Sequence, residues 1–209
     1  MAFSHPFPYR HAERLAIIDI IDTRAGAIPY RGGYFHLDEI QAFRKFNHTL
    51  EDIAAVSSWD GVYSRQGYSE QIHGVVMTTN AMSFYGVPPL LGRGLTEEDA
   101  LPGSPPVALL GYLYWKTQFH EDKSVIGQTM MVNKQARTII GVMPPRFYLF
   151  GADFYAPISW NYAEPSRQEA MANGDPIYFY ATAMVKRGIT SQAVSDDMLS
   201  IANGLVPPS

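Results

Sequence analysis

Several clusters in this sequence have residue types and spacings that could do chemistry. Gly92-Arg93, inside a glycine- and proline-rich stretch, would suit an anion. Phosphate loops, however, need G-x-x-x-x-G-K-[ST] or G-x-G-x-x-G so that several backbone N–H groups converge, and neither pattern occurs. A turn glycine followed by a guanidinium that bonds loop carbonyls is the better account. Thr96-Glu97-Glu98-Asp99 has the carboxylates for metal or acid/base work, yet a threonine followed by three acids is also what a helix N-terminus favours electrostatically. The cap is the preferred reading. His120-Glu121-Asp122 is the nearest approach to a ligand cluster, but adjacent residues diverge at a helix end, and the six histidines show neither H-E-x-x-H nor any paired spacing. No G-x-S-x-G elbow supplies a serine nucleophile. Tyr112, Trp115 and Phe119 could stack a ligand, although aromatic residues at helical spacing usually build core. Asn47-His48-Thr49 fits a glycosylation sequon, a pattern frequent by chance. No catalytic, cofactor-binding or metal-ligating residue emerges, and no cofactor is implied.

Composition narrows the classes further. With no cysteine among 209 residues, disulfides, thiolate zinc sites and a cysteine nucleophile are excluded. The net charge of -4, without a basic run, removes the counterion-release drive of nucleic-acid binding. Hydrophobic residues make up 46% and charged residues 17%, against about 25% charged in an average soluble protein, which implies a neutral surface suited to partners. No stretch approaches the roughly 18 apolar residues of a spanning helix. The opening Met1 to Tyr9 lacks the pattern of a secretory signal and is expected to be a boundary inside a longer protein.

The elements that would position any site alternate between strand and helix. Leu15 to Ile21 is a β-branched run suited to a buried strand, and Leu37 to Asn47 spaces Leu37, Ile40, Phe43 and Phe46 for a helix with Asp38 and Glu39 at its positive end. Strands are expected at Ile53 to Tyr63 and Gln71 to Met77. Thr78, Thr79 and Asn80 offer caps for a short helix that stops near Gly86. Val87 to Gly94 is too rich in breakers for long helix or central strand, and reads as a junction. Val107 to Leu110 predicts a strand, Tyr112 to Phe119 a helix, and Asp122 the cap of one turn that ends at Gly127. Thr129 to Val132 and Arg137 to Val142 flank a short connection that suits a hairpin, stopped by Pro144 and Pro145. Ile177 to Val185 alternates with period two, Lys186-Arg187-Gly188 turns the chain, and Thr190 can cap a helix striped by Val194, Met198, Ile201 and Leu205.

An ordered series of motifs resembles the MacB-type periplasmic core domain of MacB/FtsX-like ABC-transporter permeases. His5-Pro-Phe-Pro-Tyr9 with Glu13-Arg14-Leu15 looks like that family's opening, and Arg44, Asn47, Leu50 and Ala54-Ala55 resemble its next helix and turn. Asn80, Gly86-Val87, Pro89 and Leu91-Gly92-Arg93 follow in order. So do Trp115, Phe119, Asp122, Gly127, Asn133, Gly141 to Phe147, Asp153 to Ile158, and Val185 to Gly188 with the final helix. Met82 in place of an aromatic, Gly111 of a serine, Tyr155 of a tryptophan and Lys134 of a hairpin glycine depart from the pattern. Lys134 argues against a tight two-residue turn, because a non-glycine residue at positive φ costs on the order of 1 kcal/mol.

The resemblance implies a non-catalytic domain on the periplasmic side of a bacterial inner membrane, anchored by permease helices. It further implies powering by an ABC ATPase on another chain, contact with a periplasmic adaptor or substrate protein, and passage of conformational change to cargo or partner. The isolated domain is expected to be soluble and monomeric. The fold class expected is α+β (mixed α/β): a porter-like lobe from residues 1–88 plus 174–209, with a strand-rich second lobe, 89–173, inserted between breaker-rich sequences. Strands Leu15 to Ile21 and Ile177 to Val185 should then share a sheet. Two other classes stay open, a free-standing extracytoplasmic binding module and a hydrolase, the latter requiring convergent polar side chains with shifted pKa values in one pocket.

Overall fold

The chain begins its sheet at an edge. In the computed structural model, which describes residues 9–19, 34–65, 67–159 and 178–205, Leu15–Ile18 (β1) pairs antiparallel with the last strand, Tyr180–Val185 (β9). The two predicted strands therefore share a sheet, though β1 is not the buried strand expected. Ile17 is 71% exposed and only Ile18 is buried, because β1 has one ladder partner among the described residues. Residues 20, 21 and 177 of the predicted strands lie outside those described.

Between these two come Leu50–Arg65 (β2), Tyr68–Thr78 (β3), Leu91–Gly92 (β4), Val107–Leu110 (β5), Thr129–Val132 (β6), Gln135–Val142 (β7) and Phe154–Ile158 (β8). The spatial order is β1-β9-β2-β3-β8-β5-β7-β4, with β6 beside β7 and the far end of β2. Most pairs are antiparallel, but β3–β8 and β5–β7 run parallel. The β2–β3 hairpin is longer than the sequence pattern suggested, because its solvent-facing positions, such as Asp60 and Val62, hide the period-two signal at its tip.

Helices cover the sheet on both faces. Leu37–Phe46 (α1), Tyr112–Gln118 (α3) and Ser191–Leu205 (α4) pack with Ile53, Ala55 and Trp59 in one cluster. Ala81–Tyr85 (α2) and the chain around Leu95 and Phe147 pack with Ala54 and Val56 in the other. The fold is thus mixed α+β, with β2 alternating its side chains between two cores as a pleated strand must. In the first, Phe35 and Phe43 meet edge to face at 5.5 Å, both almost fully buried, and each burial stabilises by about 1.5–3 kcal/mol.

The caps follow the sequence with two corrections. Asn80 precedes α2, and Gly86 ends it at φ 65. The Asn80 amide does not cap; it donates to the Asp52 carboxylate at 2.9 Å and to the Ile53 carbonyl at 2.8 Å, tying α2 to β2. The β6–β7 turn is the tight two-residue turn that Lys134 argued against, with Asn133 at φ 51 and Lys134 at φ 63. It forms because the Asn133 side-chain oxygen accepts the Val62 N–H at 2.8 Å, while its own N–H donates to the Val62 carbonyl at 3.0 Å, so β2 holds the turn from outside. Gly111 also has a local reason: a Cβ there would run into the Ala152 carbonyl oxygen, which leaves no room for a serine.

Candidate functional site

The residues singled out for chemistry are placed apart, in structural work. The Arg93 guanidinium is held by the Asp99 carboxylate through two bonds of 2.7 Å, with one loop carbonyl, Gly94, at 3.0 Å. An acid, rather than the expected carbonyls, is its main partner. Asp99 also closes a capping box with Thr96, and the Arg93 bonds first, then those from Thr96, hold its carboxyl below the usual range despite partial burial. His120 and Glu121 both adopt positive φ. Asp122 turns away to accept the Ser124 N–H at 2.8 Å as a cap, so this triplet does not converge. Among the described residues no group of three or more His, Asp or Glu side chains is placed to hold a metal ion. Trp115 is buried, its indole N–H on the Asp122 carbonyl at 2.8 Å, and Tyr112 and Phe119 pack beside it as core. The Asn47 amide of the sequon is committed to the Phe43 and Arg44 carbonyls while its oxygen accepts the Leu50 N–H, which closes the α1–β2 corner.

Shifted groups are dispersed. Burial pushes the Tyr85 phenol up to about 12, with the Thr182 hydroxyl at 3.4 Å. The Tyr114 and Tyr155 phenols are pushed higher still, by burial first. On the β2–β3–β8 surface, Asp60 lies 2.5 Å from the His73 ring, and Asp153 accepts the His73 backbone N–H at 2.9 Å. Burial raises the Asp153 carboxyl, against the opposing pull of that bond. Glu70 accepts the Tyr114 and Tyr68 hydroxyls at 2.7 and 3.0 Å. Asp60, His73, Asp153 and Glu70 cross-link strands and a helix and line neither large cleft, whereas Tyr85 and Tyr9, whose phenol pKa values burial also raises, wall one of them.

Those clefts flank β1. On one face, β1, the β9–α4 turn and α4 enclose about 930 Å³ walled by Phe43, Val194, Met198 and Leu199. On the other, about 600 Å³ opens against Tyr9, Tyr34, Tyr85, Phe150 and Tyr180. Their linings are mainly hydrocarbon and aromatic, with Leu15, Ala16, Ile17 and Asp19 bordering both. Phe150 reaches the second cleft from a backbone at φ 52, its ring 5.3 Å from that of Tyr180. Such walls suit a ligand held by shape and apolar contact.

A second feature joins α4 to the body. Asp197 accepts the His48 N–H at 2.8 Å, the Thr49 N–H at 3.0 Å and the Thr49 hydroxyl at 2.7 Å. Burial alone would raise its carboxyl, but these bonds outweigh it and the pKa lies below the usual value. Beside it the Lys186 ammonium donates to the His48 carbonyl at 2.7 Å. One carboxylate thus fastens α4 to the α1–β2 corner. Sequence reading missed Asp197; its position one residue before Met198 of the apolar stripe marks it as helix-borne but says nothing of its partner.

Comparison with known proteins agrees with this geometry. Solved structures share the fold at low identity. The periplasmic region of MacB from Actinobacillus actinomycetemcomitans aligns with a TM-score of 0.67 and 14% identity over 92% of this chain and 84% of that one. The extracellular domain of the noncanonic ABC-type transporter YknZ from Gram-positive bacteria aligns at 0.63 and 12%, over 90% and 91%. No curated protein sequence matches the chain. Residues 4–201 match the sequence family described as the MacB-like periplasmic core domain, and at that coverage the chain belongs to this family of ABC-permease domains.

Proposed function

We propose that the chain is the extracytoplasmic domain of a MacB/FtsX-like permease, lying on the periplasmic side of the inner membrane and working without bond chemistry. It transmits movement of the permease helices, driven by an ABC ATPase on another chain, to cargo or to a periplasmic partner protein. One observation carries this reading: β1 and α4 sit together at one edge of the sheet, and Asp197 fastens α4 to the α1–β2 corner. A pull on these elements is delivered to β2, which runs the length of the sheet, rather than lost in a loose helix. Residues 1–88 with 174–209 form the anchored lobe in this scheme. Residues 89–173 form the distal one, joined along the β3–β8 and β2–β6 seams.

The test uses the whole permease with spin labels on Leu199 of α4 and Leu113 of α3, both more than half exposed and introduced as cysteines into a domain that has none. Electron–electron distance measurements with and without ATP should give two distributions. One distribution, unmoved by nucleotide, would overturn the transmission reading.

A further inference from the structure

We propose that the cleft walled by Tyr9, Tyr34, Tyr85, Phe150 and Tyr180 is a binding site for a lipophilic organic cation, an alkylated ammonium carried on a hydrocarbon or aromatic body. At about 600 Å³ it falls within the range of small-molecule sites, about 300–1,000 Å³. Five of its lining residues are aromatic, and Tyr34 and Phe150 stay 52% and 44% exposed instead of joining the core. The rings meet in tilted contacts, Tyr9 with Tyr85 at 46°, Tyr34 with Tyr180 at 48° and Phe150 with Tyr180 at 34°. A flat stack hides ring faces in one another. Tilted rings leave them partly open, and the face is where the π-system is negative.

Charge sets the sign of the occupant. Among the described residues Asp19 is the one charged residue lining this cleft, and it is exposed. The basic residues of the neighbourhood, Arg14, Lys186 and Arg187, wall the other cleft and do not line this one. An ammonium within about 6 Å of a ring centre is attracted by the ring's quadrupole, and the Asp19 carboxylate adds to that attraction, while Leu15, Ile17 and Val56 offer hydrocarbon to its body. An anion of the same size meets repulsion from both the rings and the carboxylate.

The backbone adds an independent sign. Phe150 lies at φ 52, followed by Gly151 at φ 68. A bulky residue in the left-handed region is an outlier, and strain of this kind concentrates at active sites and ligand clamps. Here the strained residue is one whose ring lines the cleft, 5.3 Å from Tyr180. The inference stands apart from the transmission reading, since equilibrium binding needs neither ATP nor permease helices, so either can fail alone.

The probe is benzyltrimethylammonium, titrated into the 209-residue chain by isothermal calorimetry beside 3-phenylpropan-1-ol, of like size without charge, and the anion 3-phenylpropanoate. One saturable site at about 0.1–1 mM is expected for the cation, about three- to thirtyfold tighter than for the alcohol, with the anion weakest of the three. Asp19→Asn should weaken the cation about threefold and leave both the alcohol's affinity and the thermal midpoint unchanged. Phe150→Leu, which keeps an apolar wall but removes the ring, should narrow the cation's advantage over the alcohol. Absence of saturation by the cation up to about 10 mM overturns the proposal, and would be the result if the chain's own residues fill the cleft. Equal affinity for cation and alcohol, or an Asp19→Asn variant that binds the cation as wild type does, overturns it as well, because the cleft would then select for apolar bulk and not for charge. So does a stoichiometry above one probe per chain, the mark of unspecific contact.

Discussion

Replacing Asp197 by alanine removes three short hydrogen bonds to a carboxylate and a 3.4 Å contact with the His48 ring, and leaves the Thr49 N–H and hydroxyl without their acceptor in a residue only 8% exposed. A hydrogen bond to a charged group contributes about 1.5–3 kcal/mol, and three sharing one acceptor are not additive, so the loss should be about 3 kcal/mol. For a chain of this length that lowers the thermal midpoint by about 6–12 °C. The pH dependence gives an independent signature. The folded pKa of Asp197 lies below its unfolded value, so its contribution is fully present above the ordinary carboxylate range and is lost as pH falls through the depressed folded value. Urea titrations of wild type and Asp197→Ala from neutral pH down to about 3 should therefore show a gap that narrows only below about pH 4. Amide exchange should place the early loosening in Ser191–Leu205. A cost under about 0.5 kcal/mol, a gap indifferent to pH, or exchange that accelerates uniformly across the sheet would refute the idea that this carboxylate fastens the helix.

Lys134→Gly should raise stability by about 1 kcal/mol, because glycine relieves the left-handed strain at φ 63; an unchanged or lower urea midpoint would contradict the turn geometry. Gly111→Ser should cost about 2 kcal/mol or more, since its Cβ meets the Ala152 carbonyl and must shift backbone at the start of α3, and a neutral result by calorimetry would sink that account. Asp153→Asn should match or exceed wild-type stability at neutral pH. Burial raises the Asp153 carboxyl, so wild-type stability is full below the unfolded pKa and declines as pH rises through the folded one. The advantage of the asparagine should fade on acidification in paired urea titrations, and a variant weaker than wild type at pH 7 but not at low pH would reverse the sign.

Local order was legible where the pattern is local. Leu37, Ile40 and Phe43 mark α1 by their spacing, Asp122 and Gly127 bracket a single turn, and Thr190 caps α4 by accepting the Ala193 N–H at 3.2 Å. Of the long-range features, the shared sheet of the first and last strands was expected, from the family resemblance, and the others were not legible. That β8 runs parallel beside β3, or that β9 enters between β1 and β2, depends on pairings with no local pattern to announce them. Leu15–Ile18 reads as buried because it is apolar throughout and Ile17 and Ile18 are β-branched, yet burial depends on a neighbour that the sequence does not specify. The two clefts and the Asp197 fastening escaped for the same reason: Thr49 and Asp197 are 148 residues apart. The tight Asn133-Lys134 turn defeated a correct local rule, because Val62 of another strand stabilises it.

The place of β9 between β1 and β2 also sets a timetable for folding. Arg14 bonds the Val185 carbonyl across a separation of 171 residues, and among the described residues β1 has no ladder until β9 is made. At about 5–20 residues per second a ribosome needs roughly 10–30 s to bridge that interval. During it the β2–β3 hairpin, whose strands are neighbours in sequence, can close at once, while β1 waits with its β-branched residues exposed. The closing step must be insertion of β9 along β2, with β1 then pairing to β9's free edge, a high-contact-order event expected to limit the rate of the whole domain. A chain released before residue 185 would hold a formed hairpin and an unclaimed first strand, the state in which this fold is most open to misassembly.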